Sequence, residues 1–148
     1  MATKTTDILK NLLDRMGFLD AEIGEQEAGG RVKVDIKVSE ARDLIGERGE
    51  TLSMFQHIAR RIAAKHIFPP PLIDIDVNGY KRMREDVLAD FARDIGAKVR
   101  FEKKAAELDP MPAFDRRVIH LALANFSDLT TESAGVGDAR YVVVRPYP

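Results

Sequence analysis

Leu44-Ile45-Gly46-Glu47-Arg48-Gly49-Glu50-Thr51-Leu52 is the stretch on which the reading of this chain turns. Two glycines separated by two residues, one of them an arginine, sit where one apolar helical pattern stops and the next begins. Glycine lets the backbone turn sharply and lets a ligand approach it with no side chain in the way. A helix starting behind such a turn presents unpaired N–H groups and the positive end of its dipole, an arrangement suited to phosphate. An ordinary corner between two helices would use the same residues, so the flanking sequence has to decide.

Upstream, Ser39 is placed to cap a short helix running through Leu44. Before it lies the cleanest strand pattern in the chain: Val32, Val34, Ile36 and Val38 on one face, Arg31, Lys33, Asp35 and Lys37 on the other. Ala28-Gly29-Gly30 supplies a turn, and Leu19, Ala21 and Ile23 alternate with Asp20 and Glu22 ahead of it, so the two strands are expected to form an antiparallel hairpin. A first helix is expected with Thr6 as N-cap, Ile8, Leu9, Leu12, Leu13 and Met16 at helical spacing, and Gly17 as its stop.

Downstream, Leu52, Phe55, Ile58, Ala59, Ile62 and Ala63 mark the apolar face of a helix that Pro69-Pro70-Pro71 ends. Ile73, Ile75 and Val77 then point inward from a third strand, with Asp74 and Asp76 outward. Lys33 and Lys37 on the second strand complement Asp20, Glu22, Asp74 and Asp76 on the other two, which puts the second strand in the middle. The route from second to third strand through two helices is a crossover to a parallel neighbour. Asp74 and Asp76 read as a solvated strand face rather than a metal pair, and no metal site is expected.

These residues resemble a KH domain of the bacterial, type II arrangement, α-β-β-α-GxxG-α-β, with its (L/I)IGxxG loop between two helices. The resemblance implies that the loop meets the sugar-phosphate backbone of about four single-stranded nucleotides. By that analogy Gly46, Glu47, Arg48 and Gly49 form the nucleic-acid-binding loop, and Arg60 and Lys65 are weaker candidates that extend its basic edge. The loop positions of the family often carry lysine or arginine. Here Glu47 and Glu50 flank Arg48, so weak binding is expected from this module alone.

After the break at Asn78-Gly79 a long helical pattern starts near Tyr80, with Met83, Val87, Leu88, Phe91, Ile95 and Val99 forming a wide apolar band. A band that wide predicts packing against both halves of the protein. Gly96 inside it predicts a hinge or a close helix contact, and Lys98, Arg100, Lys103 and Lys104 make its far end basic. Pro110 and Pro112 lead into another helix whose apolar side is expected to be Phe114, Val118, Leu121 and Ala122. Arg116 and His120, four apart, stack on another side, with Arg117 in reach. Strand-like Leu129 to Ala134, the loop Gly135-Val136-Gly137-Asp138 and a β-rich Tyr141-Val142-Val143-Val144 close the chain.

Arg-x-x-x-His alone matches many proteins by chance. Its surroundings, Pro-Met-Pro-Ala-Phe-Asp-Arg-Arg-Val-Ile-His-Leu-Ala-Leu, then Thr-Thr-Glu-Ser and Arg-Tyr-Val-Val-Val, resemble the R-3-H domain, named for its spaced arginine and histidine. A KH module joined by a helix to this domain resembles the bacterial Jag family, also called KhpB, over residues 31–145. Typical members carry an additional N-terminal Jag domain and linker, and this sequence, opening almost at the first KH helix, is expected to be without them. The resemblance implies an α+β protein with a KH domain over residues 1–78 and a linking helix plus a small α/β R-3-H domain with a short sheet over residues 79–148. It assigns Arg116 and His120, with Arg117 as helper and Arg140 as a weaker candidate, to phosphate on a single strand.

Composition bounds the function. The 148 residues, 45% of them hydrophobic, make room for one ordinary domain or two small ones. No apolar run approaches the ~20 residues of a membrane span, and Met1 to Asp7 is polar with no signal-peptide core behind it. Absence of cysteine removes disulfides and thiolate metal sites, consistent with a cytoplasmic protein. With a net charge of −1, polyanion binding has to come from local patches. His57, His66 and His120 fall in separate elements without metal-protease spacing, and the glycine loop lacks the Gly-Lys-Ser/Thr ending of a P-loop. No catalysis and no cofactor are expected.

The leading expectation is a binder of single-stranded RNA, with DNA as a possible substitute, that acts as a post-transcriptional regulator. Its rival is a protein-interaction adaptor in cell-division or envelope control, partnering a small KH protein (KhpA-like) or a second copy of itself. Contact of His120 with phosphate would raise its pKa in the complex, so binding is expected to tighten as pH falls through roughly 7 to 6.

Overall fold

A computed structural model describes residues 4–148. Residues 1–3, which open the expected first domain, lie outside the described residues. The chain is an α+β protein of two compact units, the first running through Lys81 and the second from Arg82 to Pro148.

The first unit is built from helix α1 (Thr5–Met16), strands β1 (Glu22–Ala28) and β2 (Arg31–Lys37), helix α2 (Ala41–Ile45), a single 3-10 turn (Glu47–Gly49), helix α3 (Glu50–His66) and strand β3 (Leu72–Val77). Helix α4 (Tyr80–Glu102) begins at its end. The sheet order is β1-β2-β3, with β1 antiparallel and β3 parallel to the central β2, as the charge pattern and the crossover predict. Glu22 stands opposite Lys37 and Asp74 opposite Lys33. The inward residues of β2 and β3 pack with Ile8, Leu9 and Leu13 of α1, Leu44 of α2, and Leu52, Phe55, Ala59 and Ala63 of α3. Each large aliphatic side chain buried this way contributes about 1.5–3 kcal/mol.

Four local expectations need correction. The first helix starts two residues earlier than a Thr6 cap requires: Lys4 is the N-cap, and its N–H donates to Asp7 Oδ2 at 3.3 Å. Leu19 does not belong to the first strand. It sits in a turn, 73% exposed, and the strand begins at Glu22. The turn is held instead by Asp20, whose Oδ2 accepts the Ser39 N–H at 2.9 Å, so Ser39 stands before α2 without capping it and Glu40 is the N-cap. Bonding to Ser39, side chain first and backbone second, holds the Asp20 carboxyl below the usual carboxylate range. Ile58 is on the solvent side of α3, because the strip facing the sheet is filled by Leu52, Phe55, Ala59 and Ala63.

The break at Asn78-Gly79 is a clasp. Asn78, in a left-handed conformation, accepts the Val38 N–H at 3.0 Å and donates to the Val38 carbonyl at 2.9 Å, so its side chain extends the pairing of β2. Asp76 Oδ1 accepts the N–H groups of Val77 and Lys81 at 2.9 and 3.0 Å, satisfying an amide of the first turn of α4.

The second unit contains the rest of α4, strand β4 (Ala106–Glu107), helix α5 (Ala113–Leu123), and strands β5 (Leu129–Ala134) and β6 (Tyr141–Pro146). Its sheet has the order β4-β6-β5, all antiparallel. Leu88, Ala92 and Val99 of α4 pack with Ile119 and Leu123 of α5 and with Leu129, Val142 and Val144 of the sheet. Gly96 is a close-contact position: a Cβ there would lie 3.0 Å from both Leu123 Cδ2 and Leu129 Cδ1.

The apolar band expected on α4 is narrower than its hydrophobic residues suggest. Met83, Val87 and Phe91 are exposed, and the buried strip is Leu88, Ala92, Gly96 and Val99, where small residues let the neighbouring elements approach. On α5 the core strip is Asp115, Ile119 and Leu123, and Leu121, expected inside, is 67% exposed.

Candidate nucleic-acid interface

Gly46, Glu47, Arg48 and Gly49 come together as one tight loop leading into α3. Gly46 adopts φ 74° and ψ −178°, a conformation essentially reserved for glycine. A Cβ at Gly46 would lie 2.2 Å from Thr51 Oγ1. Arg48 (φ 54°) and Gly49 (φ 78°) are left-handed, so three of the four loop residues have positive φ. The Gly49 N–H returns to the Gly46 carbonyl at 3.3 Å, and the Gly46 N–H to that of Arg42 at 2.9 Å. Glu47, Arg48 and Glu50 are exposed, and no side chain caps the start of α3. The loop therefore presents backbone, one guanidinium and two carboxylates.

Two residues that shape this loop escape a reading by spacing. Thr51 fills the room a Cβ at Gly46 would need, and the ring of Tyr80, from the first turn of α4, lies against Gly49. Nothing local ties Tyr80 to a loop so far upstream.

Arg60 and Lys65 take different places. The Arg60 side chain binds β3: Nε donates to the Ile73 carbonyl at 2.6 Å and Nη2 to Asp74 Oδ1 at 2.9 Å. Arg31 reaches the same carboxylate at 3.4 Å. Lys65 is exposed in the last turn of α3.

In the second unit Arg116 and His120 lie on one side of α5, both half-buried, and Arg117 is exposed. Arg116 Nη1 donates to the Met111 carbonyl at 3.2 Å. Met111 in turn donates its N–H to the Arg140 carbonyl at 3.0 Å, so the backbone of Met111 connects the positions of both arginines. Arg140 Nε is buried without a hydrogen-bond partner among the described residues.

The His120 ring is engaged on both sides. Nδ1 is 2.7 Å from Thr131 Oγ1 and Nε2 is 2.9 Å from Ser133 Oγ. Hydroxyls both donate and accept, so they satisfy the neutral ring in either tautomer. Burial holds the imidazole below its ordinary value of 6.5, and the Arg116 charge pushes the same way. The alternating hydroxyls of Thr131 and Ser133 were the available sequence signal for these partners.

A second relationship under α5 also escapes the motif. Asp115, beside Arg116, is 1% exposed and accepts Arg84 Nη2 at 2.7 Å on Oδ2, while its Oδ1 has no hydrogen-bond partner among the described residues. A carboxylate on a strip with Ile119 and Leu123 is the signature of a buried acid that requires a cation.

Among the described residues no group of histidine, cysteine and carboxylate side chains could hold a metal ion. No described helix is long and apolar enough to cross a membrane.

Comparison with known proteins places the second unit first. The R-3-H domain family matches residues 86–146. The chain is 29% identical over 142 residues to the RNA-binding protein KhpB of Clostridium symbiosum, covering 95% of this chain and 64% of that protein. It is 27% identical over 126 residues to the protein of that name from Bacillus subtilis, covering 84% of this chain and 61% of the relative. With the one from Lactiplantibacillus plantarum it shares 36% identity over 101 residues, 68% of this chain and 31% of the relative. The chain thus spans less than two thirds of the length of these relatives.

Proposed function

The chain belongs to the bacterial KhpB (Jag) family, and on that premise we propose that it binds single-stranded RNA without catalysing a reaction. In this reading the first unit is a type II KH domain, supported by the order α-β-β-α-GxxG-α-β and the sheet order β1-β2-β3. Gly46, Arg48 and Gly49 meet the sugar-phosphate backbone, and Arg116 with Arg117 and His120 meets phosphate in the second unit. Two weak sites on one chain strengthen each other, because the second contact becomes intramolecular. A cytoplasmic post-transcriptional regulator is the role that fits.

The observation carrying this reading is the loop itself: Gly46, Arg48 and Gly49 all have positive φ, two of them without a side chain, at a helix start with no side-chain cap. The hydroxyls of Thr131 and Ser133 orient the His120 ring, with Arg116 and Arg117 as the permanently charged contacts. Single-stranded DNA is the natural competitor, since neither site has been given a group that recognises the 2′-hydroxyl.

The test is a fluorescence-polarisation titration with short single-stranded RNA. Replacing Glu47 and Arg48 together by aspartate, or Arg116 and His120 together by alanine, weakens binding several-fold, and combining the pairs weakens it further. If four or five phosphates are contacted, log affinity falls with log salt at a slope of about −3. Unchanged affinity in both paired variants, with the folds intact by circular dichroism, overturns the site assignment.

A second reading rests on the exposed carboxylates of Glu47 and Glu50 beside Arg48, which cost affinity for a polyanion. It makes the chain an interaction adaptor whose partner is a small KH protein or a second copy. Purification with and without nuclease separates the two, since an RNA binder loses its co-purifying nucleic acid and an adaptor keeps its protein partner.

A further inference from the structure

At the end of α4 lies a shallow cavity of about 280 Å³ lined by Arg100, Lys103, Asp128, Pro146, Tyr147 and Pro148. Small-ligand sites begin at about 300 Å³, so this depression suits one planar ring laid across it better than an enclosed molecule. Its parts are held in place. Arg100 Nε contacts both oxygens of Asp128, at 3.0 and 2.8 Å, and its guanidinium stacks over Phe126 at 4.3 Å from the ring centre. The carboxylate in the cavity is therefore neutralised by a fixed partner, and Arg100 keeps the Asp128 carboxyl below its usual range.

Tyr147 is anchored by its backbone, the N–H donating to the Asp128 carbonyl at 2.8 Å, while 58% of the residue stays exposed. Prolines on both sides restrict the chain around it, so little freedom is lost when something stacks on the ring. Lys103 closes α4 in a left-handed conformation, its N–H bonded to the Val99 carbonyl at 2.9 Å, and Lys104 follows it, exposed.

We propose that Tyr147 and Lys103 form an additional contact for single-stranded RNA, a base stacking on the tyrosine ring while the lysine meets the adjoining phosphate. Aromatic rings beside cations are how single strands are held without sequence preference, because every base offers a flat face. Charge decides the occupant: with Asp128 balanced by Arg100, Lys103 leaves the lining side chains net positive. The site lies within the same unit as His120. Thr131, which holds that ring, is three residues along the chain from Asp128, about 10 Å at the rise of a strand, so one strand of a few nucleotides reaches both.

This inference rests on the RNA-binding reading, and the experiment separates the two. The full chain is labelled with 3-fluorotyrosine, and the fluorine spectrum of Tyr80, Tyr141 and Tyr147 is assigned with Tyr147→Phe and followed during titration with a short oligouridine. The Tyr147 signal is expected to shift with the same midpoint as the polarisation signal. Tyr147→Ala and Lys103→Ala are each expected to weaken binding about three- to tenfold, Tyr147→Phe to retain it, and Lys103→Ala to make the salt slope shallower by about 0.7. If the chain binds and the paired loop variants weaken it, yet Tyr147 stays silent and Tyr147→Ala binds like the parent, this contact is overturned alone. If the parent does not bind RNA, both proposals fall.

Discussion

The ring of Tyr80 lies so close to Gly49 that a Cβ on the glycine would come within 2.9 Å of ring carbon Cε1. Gly49 is also left-handed, whereas Gly46 combines a conformation only glycine favours with a Cβ position occupied by Thr51. Gly46→Ala is therefore expected to cost about 2–3 kcal/mol or more, since strained backbone and a clash add. Gly49→Ala is expected to cost less. Its penalty should shrink in a Tyr80→Ala background, where the ring no longer crowds the loop, and urea denaturation of the four proteins in that double-mutant cycle measures the coupling. Strictly additive effects would show that Tyr80 does not buttress the loop.

The Arg84–Asp115 pair is expected to respond asymmetrically. Arg84→Met strands a carboxylate that is 1% exposed and costs about 3 kcal/mol, the usual result of breaking a buried pair. Combining it with Asp115→Leu restores much of the loss, because two apolar groups leave no buried charge. Chemical denaturation of the single and double variants checks both parts.

For His120 the sign is set by burial. Its folded-state pKa lies below the unfolded value of 6.5, so the unfolded chain binds the proton first. Stability contributed by neutral His120 is present above pH 6.5 and is lost as pH falls through 6.5 toward the folded value. His120→Gln should remove that part of the pH dependence of the unfolding midpoint. Any tightening of RNA binding through protonation starts as pH falls through the pKa of the complex and ends only below the lowered pKa of the free protein, so the window of roughly 7 to 6 extends downward. A polarisation series across pH 5 to 8 at constant salt checks it.

Arg60→Ala is expected to act on stability and not on RNA. Its guanidinium joins α3 to β3 through the Ile73 carbonyl and Asp74, and the loss should be about 1 kcal/mol after allowing for partial exposure. RNA affinity measured under folded conditions should match the parent. A drop of several-fold would place Arg60 on the binding edge after all.

Much of the first unit could be read in advance because alternation and turn chemistry are local. Val32 to Val38, Ile73 to Val77 and the glycine loop each carry their own signal within a few residues. Leu19, Ile58, Met83, Val87 and Leu121 misled for one shared reason: hydrophobicity identifies a residue able to be buried, while burial depends on whether another element arrives to cover it. The small residues Ala92 and Gly96, rather than the large ones beside them, mark where α4 is packed.

The order of elements, the central place of β2 and the position of the glycine loop follow from the chain alone, since each depends on periodicity, charge alternation or the backbone freedom of glycine. The hydroxyls around His120, the ring against Gly49, Arg60 turned onto the sheet and the buried partner of Asp115 belong to the tertiary structure. They join residues far apart in sequence, and only folding creates the low-dielectric, sterically closed surroundings in which those contacts exist.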